Sequence, residues 1–370
     1  NEQRYAVTEA DLLELRSLRQ PSHTMPTKTL LIFILLWASP LVAQESPRSI
    51  GDGKWQFLPN GIALPEAHQK DVQDYHGVAV DGQGRVYVAY YSSKQNPETR
   101  TLARFNYTPN ENPPFKFDRF LGDASWVPGR VHGLNIIKNN DGEERLLLVY
   151  NSQKVILCDL DGNIDKAESW SVKHRQLGKA SDGNRSPLSK HLGVYDGYKS
   201  NVLHELHMQD GSTTGYKHGG RGNGFDKTST AHGIGVDVEG RYVVADRGNK
   251  RLVWQDPNFK PIKSTKHPGK QLQLPTPGLE VCNVQFLPDG SAVLPALNAK
   301  IGFLKKSLKS ECGYEMDGVI TMPSELIKKG YDGIHDVNLS NDKKYLVVAV
   351  WQRKRSIPPR LFVLKRAPDG

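Results

Sequence analysis

A chain of 370 residues with 49 Lys and Arg against 40 Asp and Glu, a formal charge of +9, is long enough to bury a large core and leans toward anionic surroundings. Its basic residues are dispersed and no nucleic-acid-binding motif occurs, so nucleic acid is excluded as the expected partner. Three cysteines are too few for a disulfide-built fold, so apolar burial must carry stability; Cys282 and Cys312 are one conceivable bridge, which would leave Cys158 unpaired.

Residues 1–24 carry an isolated helical pattern (Leu12, Leu13, Leu15, Leu18) that leads into nothing downstream, and an over-extended gene start explains them most simply. At Met25 a signal peptide begins. Lys28 supplies its positive region, Leu30 to Trp37 (LLIFILLW) its apolar core, and Leu41-Val42-Ala43 a small-residue ending that places cleavage before Gln44. The apolar run is too short to span a bilayer. The expectation is a secreted or periplasmic protein with no transmembrane anchor after cleavage, its ordered part running from 50 to 370.

That part repeats. A unit opens with His-Gly or His-Asp, continues as an alternating apolar run, turns at Asp/Asn-Gly and resumes as a second alternating run. The copies begin at His76, His132, His232, Asn283 and His335, at intervals of 51–56 residues apart from one gap of 100. A sixth opening therefore belongs near position 182, in the degenerate stretch Lys179 to His191, with Leu192 to Tyr195 as its second strand. A period of about 40–50 residues with hairpin turns signals a β-propeller. The fold class predicted is all-β, a six-bladed β-propeller. Trp55 to Leu58 and Leu361 to Leu364 are expected to share the last blade, since a closed ring leaves no exposed sheet edge.

In a propeller the first strand of each blade lines the central channel. His132, His232 and His335 head the second, fourth and sixth blades, which a sixfold ring relates by about 120°. Three neutral imidazoles with an open position are the ligand set of a catalytic zinc. Asp336 adds an acidic oxygen suited to a hard cation such as calcium, or else caps its strand. His76 breaks the threefold pattern and is a fourth ligand, a hydrogen-bonding neighbour or a turn residue. A purely structural role for all the His-Gly openings, with imidazole bonded to backbone, is the competing reading.

These residues resemble peptidyl-α-hydroxyglycine α-amidating lyase and its bacterial NHL-repeat relatives over most of the chain. The stretch Gly219-Gly-Arg-Gly-Asn-Gly-Phe225, then Ala231-His232-Gly-Ile and Val244-Ala-Asp-Arg247 with Asn249 and Arg251, is similar to that family's fourth blade. The resemblance implies an NHL-type propeller with zinc on His132, His232 and His335. It also implies calcium near Asp336 and the backbone of Val78 and Leu134, and a tyrosine base at Tyr198 within Asp196-Gly-Tyr198. Where the family has an active-site arginine after the first-blade strand, this chain has Tyr91, and Gly333-Ile334 replaces the methionine before the last zinc histidine.

Two functions follow. One is a metal-dependent lyase or hydrolase acting on a small-molecule or peptide-like substrate at the channel mouth, with Tyr198 moving a proton and Arg247 holding a carboxylate. Arg247 could equally pair with Asp246 or Asp237. The other is a non-catalytic propeller that grips an anionic envelope polymer. A lactonase-type propeller fits less well, because its metal takes carboxylate and amide ligands and this channel offers imidazoles.

Overall fold

The computed structural model describes residues 54–58, 60–92, 100–126, 129–351 and 360–367. The expected upstream extension (1–24) and signal peptide (25–43) lie outside them. Among the described residues no helix is long and apolar enough to cross a membrane.

The described strands form six four-stranded antiparallel sheets, each built from strands consecutive in the chain except where the ring closes. The protein is an all-β six-bladed propeller. The inner strands are Val72–Val80, Val131–Lys138, Asp182–Asn184, Ala231–Val236, Gln285–Phe286 and Gly333–Leu339. The third opening thus falls at the expected position, although its strand has three residues and is led by Ser181 rather than histidine.

Period-2 alternation explains how the blades pack, because successive side chains leave a strand on opposite faces. In blade one, Val86, Val88 and Tyr90 pack against Val347, Ala349 and Val363 of blade six. The intervening Tyr87 and Ala89 pack against Leu146, Leu148 and Ile156 of blade two. Each fully buried aliphatic side chain contributes roughly 1.5–3 kcal/mol, and an isolated blade would lose both interfaces.

The corners after the inner strands of blades one and four are fastened by an aspartate. Asp81 Oδ1 accepts bonds from the Gln83 and Arg85 amides at 3.0 and 2.8 Å, and Oδ2 accepts from Arg85 Nε and the Tyr87 hydroxyl. Asp237 repeats this with the amides of Glu239 and Arg241, with Arg241 Nε and with Trp254 Nε1. Closure follows the expected scheme: Trp55–Leu58 pairs with Leu361–Arg366, in register from Trp55 opposite Arg366 to Leu58 opposite Val363.

The segment from Glu168 to Lys190 is built into the blades, Trp170–Lys173 being the outer strand of blade two and Asp182–Asn184 the inner strand of blade three. Cys282 and Cys312 form no bridge, and all three cysteines are free and buried. Cys282 leads the inner strand of blade five at the channel, whereas Cys312 sits in the turn between that blade's two outer strands, Lys300–Lys306 and Tyr314–Thr321. Burial pushes the Cys282 thiol up to about 11 and raises Cys158 as well. An aromatic disulfide reagent should therefore label no thiol rapidly in the native protein and three per chain in guanidinium; only one in guanidinium would mean a bridge had formed.

Candidate metal centre

Four inner strands share one irregularity. Tyr75 pairs with Tyr90 and Gly77 with Ala89, leaving His76 unpaired; Val131 pairs with Tyr150 and Gly133 with Val149, leaving His132. The same slip occurs at His335, between Ile334 opposite Val350 and Asp336 opposite Ala349, and at His232, between Ala231 opposite Asp246 and Ile234 opposite Val244. A bulge bends its strand and re-aims the extra side chain. Here it delivers four buried imidazoles to one cavity in the channel.

Glycine after the histidine is required by the approach of the next blade. A Cβ at Gly233 would stand 2.5 Å from both the Asn283 Oδ1 and the Cys282 carbonyl, and one at Gly133 would strike Asp182. The neighbouring strand is drawn this close by a hydrogen bond from the histidine itself. His132 Nδ1 lies 2.6 Å from the Ser181 carbonyl of blade three, His232 Nδ1 2.8 Å from the Cys282 carbonyl of blade five, and His335 Nδ1 2.8 Å from the His76 carbonyl of blade one.

A carbonyl accepts only, so each of these Nδ1 atoms must carry the proton and each Nε2 is left as a lone pair. Those lone pairs converge. His132 and His335 Nε2 are 3.1 Å apart, and the Tyr198 hydroxyl lies 2.6 Å from His232 Nε2 and 2.9 Å from His132 Nε2. Three acceptors share the site with one hydroxyl proton, which reaches two of them. Burial pushes the pKa of all three imidazoles well below the ordinary range, with charge on neighbouring residues adding to it, so added protons do not relieve the crowding.

His76 stands differently. Its Nδ1 lies 2.6 Å from Asp74 Oδ1, and Asp74 Oδ2 in turn meets Arg130 Nη2 at 3.1 Å. Its ring centroid is 4.3 Å from that of His335 and 5.2 Å from that of His132. His76, His132 and His335 each offer a ring nitrogen within 4.8 Å of the other two and could together hold a metal ion. His232 borders the same cluster, its ring centroid 4.8 Å from those of His132 and His335. A tetrahedral zinc with bonds near 2.0–2.1 Å sets its nitrogens about 3.3–3.4 Å apart, close to the His132–His335 separation. The cavity's free volume of about 10 Å³ suits a single ion or water.

Around this cluster the mouth is cationic. The Arg247 guanidinium lies 5.7 Å from the Tyr198 ring centroid and donates toward Cys282 Sγ, while Arg130 lies 5.1 Å from the Tyr91 ring centroid. The carboxylates that Arg247 could have paired with are taken, Asp246 by Arg251 and Asp237 by Arg241. Burial pushes Tyr198 up to about 12, so without a cation its hydroxyl is a proton donor.

One step deeper, Asp336 accepts bonds from the Val78 and Val337 amides and from Asn283, and Asp182 accepts them from Asn135 and the Ile234 amide. Burial pushes Asp336 up to about 8 and Asp182 to about 7.

His132, His232, His335, Tyr198 and Arg247 therefore meet at one mouth, with Asp336 just inside it. Sequence reasoning passed over Asp74, Arg130 and Asp182. Asp74 had a signal in the Asp-Tyr-His76 spacing, which sets carboxylate and imidazole two residues apart on an inner strand.

The class defined is a six-bladed propeller with a buried histidine cluster fit for a metal. Among solved structures, a streptogramin B lyase is similar at 9% identity and a TM-score of 0.51, covering 85% of this chain and 98% of that one. A catalytically inactive variant of virginiamycin B lyase from Staphylococcus aureus with quinupristin follows at 12% identity and 0.48, over 80% and 82% of the two chains. A mitotic checkpoint complex gives 9% and 0.48 over the whole of both. No protein-family model matches the chain. No curated protein matches it either. Such identities speak to the fold alone.

The close approach of blades four and five gives a direct test. Gly233→Ala should cost about 1–3 kcal/mol in denaturant unfolding, as overpacking does. Gly224→Ala, where an added Cβ meets nothing within 4 Å, should change stability by less than about 0.5 kcal/mol.

Proposed function

We propose that this chain is an exported metal-dependent lyase or hydrolase, of the NHL-repeat kind its resemblance to the amidating-lyase family implies. The observation that carries the reading is the convergence of imidazole lone pairs, each fixed by an Nδ1 bond to backbone, with a single hydroxyl proton among them. Such a donor set calls for a cation.

His132 and His335 belong to either possible ligand triad, completed by His232 as the resemblance implies or by His76 as the nitrogen spacing favours. Zinc bound there supplies a Lewis acid toward a substrate oxygen. Tyr198 holds its proton at Oη, between His132 and His232, and acts as base only when a neighbouring cation lowers its pKa. Arg247, together with Arg130 beside the tyrosine that replaces the family's arginine, would bind a substrate carboxylate through charge-assisted hydrogen bonds. Asp336, bonded to the Val78 amide, is the residue toward which a calcium ion would be drawn.

Elemental analysis of protein purified without chelators should find about one zinc per chain, lost in folded His132→Ala and His335→Ala variants. Loss in His232→Ala with retention in His76→Ala selects the first triad, and the reverse selects the second. No zinc even after reconstitution would overturn the catalytic reading and leave a propeller that binds an anionic envelope polymer.

Tyr198→Phe should keep the metal and lower turnover of α-hydroxyglycine peptides, the substrate class the resemblance implies, by about 10²–10⁴-fold. Turnover equal to the parent would remove Tyr198 from the chemistry.

A further inference from the structure

Outward from Tyr198 on the same mouth lies a second cavity, of about 530 Å³, on blade three. One wall is the loop that follows the outer strand of blade two, with Arg175 and Gly178. The other comes from the two outer strands of blade three, Val202–His207 and Thr213–Gly219, with His204, Lys217 and His218. Lys199 and Ser200, directly after Tyr198, complete the inner end, and the Lys199 stem lies across Gly178 where any larger residue would meet it.

The charges in this groove are unbalanced. Arg175, Lys199 and Lys217 are exposed, and none makes an ion pair among the described residues. The one carboxylate lining it, Asp196, is already committed: Oδ1 accepts from the Lys179 amide at 2.6 Å, and Oδ2 from the Ser200 hydroxyl at 2.7 Å and the Ser200 amide at 3.2 Å. His218 is held through Nδ1 by Asp226 Oδ1 at 2.7 Å, while its Nε2 is buried with no hydrogen-bond partner among the described residues. A cavity of this volume is in the range that takes small ligands. Three exposed cations against a single carboxylate, itself turned to the Lys179 and Ser200 donors, define what it would take: an anionic group.

We propose that this groove is a second binding site, which receives the carboxylate or phosphate group of a small ligand on Lys199, Lys217 and Arg175. It stands on the groove's own residues and is independent of the metal reading.

The test is isothermal titration calorimetry at low ionic strength on the full protein, stripped of metal and dialysed free of chelator, with inorganic phosphate and with succinate as probes. At least one probe should bind saturably. The Lys199→Ala/Lys217→Ala double variant should bind it about tenfold more weakly, as loss of charge-assisted contacts requires, and a Lys260→Ala/Lys270→Ala variant should bind it as the parent does.

Binding of phosphate alone identifies a phosphate-bearing ligand, and binding of succinate a carboxylate-bearing one. Absence of binding by both probes would overturn the proposal, as would equal affinity in the parent and the Lys199/Lys217 variant. So would binding seen only when metal is restored, because the anion would then sit at the histidine cluster. The metal-free comparison of parent and Lys199/Lys217 variant does not depend on whether the native protein holds zinc or turnover occurs.

Discussion

Each histidine of the second, fourth and sixth blades is held by the blade that follows it. The bond from Nδ1 to the next blade's carbonyl sets the tautomer, points Nε2 at the axis and ties adjacent blades at the channel wall. It also makes the centre depend on the completeness of the ring. The bond from His335 to the His76 carbonyl joins positions 259 apart in the chain, and it exists only because Trp55–Leu58 draws blade six closed against blade one. Packing between blades, register at the bulges and lone-pair geometry at the axis are therefore one problem with one solution.

The channel is layered by charge. Guanidinium groups of Arg130 and Arg247 stand at the mouth, neutral imidazoles lie beneath, and the amide-bonded carboxyls of Asp182 and Asp336 lie deepest. Each layer is what burial permits at its depth. Cations remain charged where water reaches them, imidazoles lose their proton affinity once desolvated, and carboxyls move toward their neutral form.

The ring was legible because its signals are local and repeated: alternation, Asp-Gly corners and His-Gly openings on a common period. Even the unmarked third blade could be placed by spacing, since its neighbours set the interval. The relation of His76 to His232 was less legible. Sixfold symmetry puts His232 in a trio with His132 and His335, but the bulges tilt each ring by its own amount, and His76 is drawn inward by Asp74, whose effect no periodicity encodes. Arg247 shows the same limit. The sequence offers it Asp246 and Asp237, and it pairs with neither, because pairing across strands sets Arg251 directly opposite Asp246 and Arg241 reaches Asp237.

The strand that seals the ring stands at one end of the described chain and its partner at the other. During synthesis the N-terminal strand emerges with no neighbour to pair with and waits until the last strand has been made. Five blades can form and stack in order meanwhile, each on the one before. The histidine cluster cannot, because the His76 carbonyl and the His335 ring come together only at that final step. The centre is thus the last thing the chain makes, and a metal that binds it would act as a clasp across a seam otherwise closed by one short strand pair and the packing of blade one on blade six.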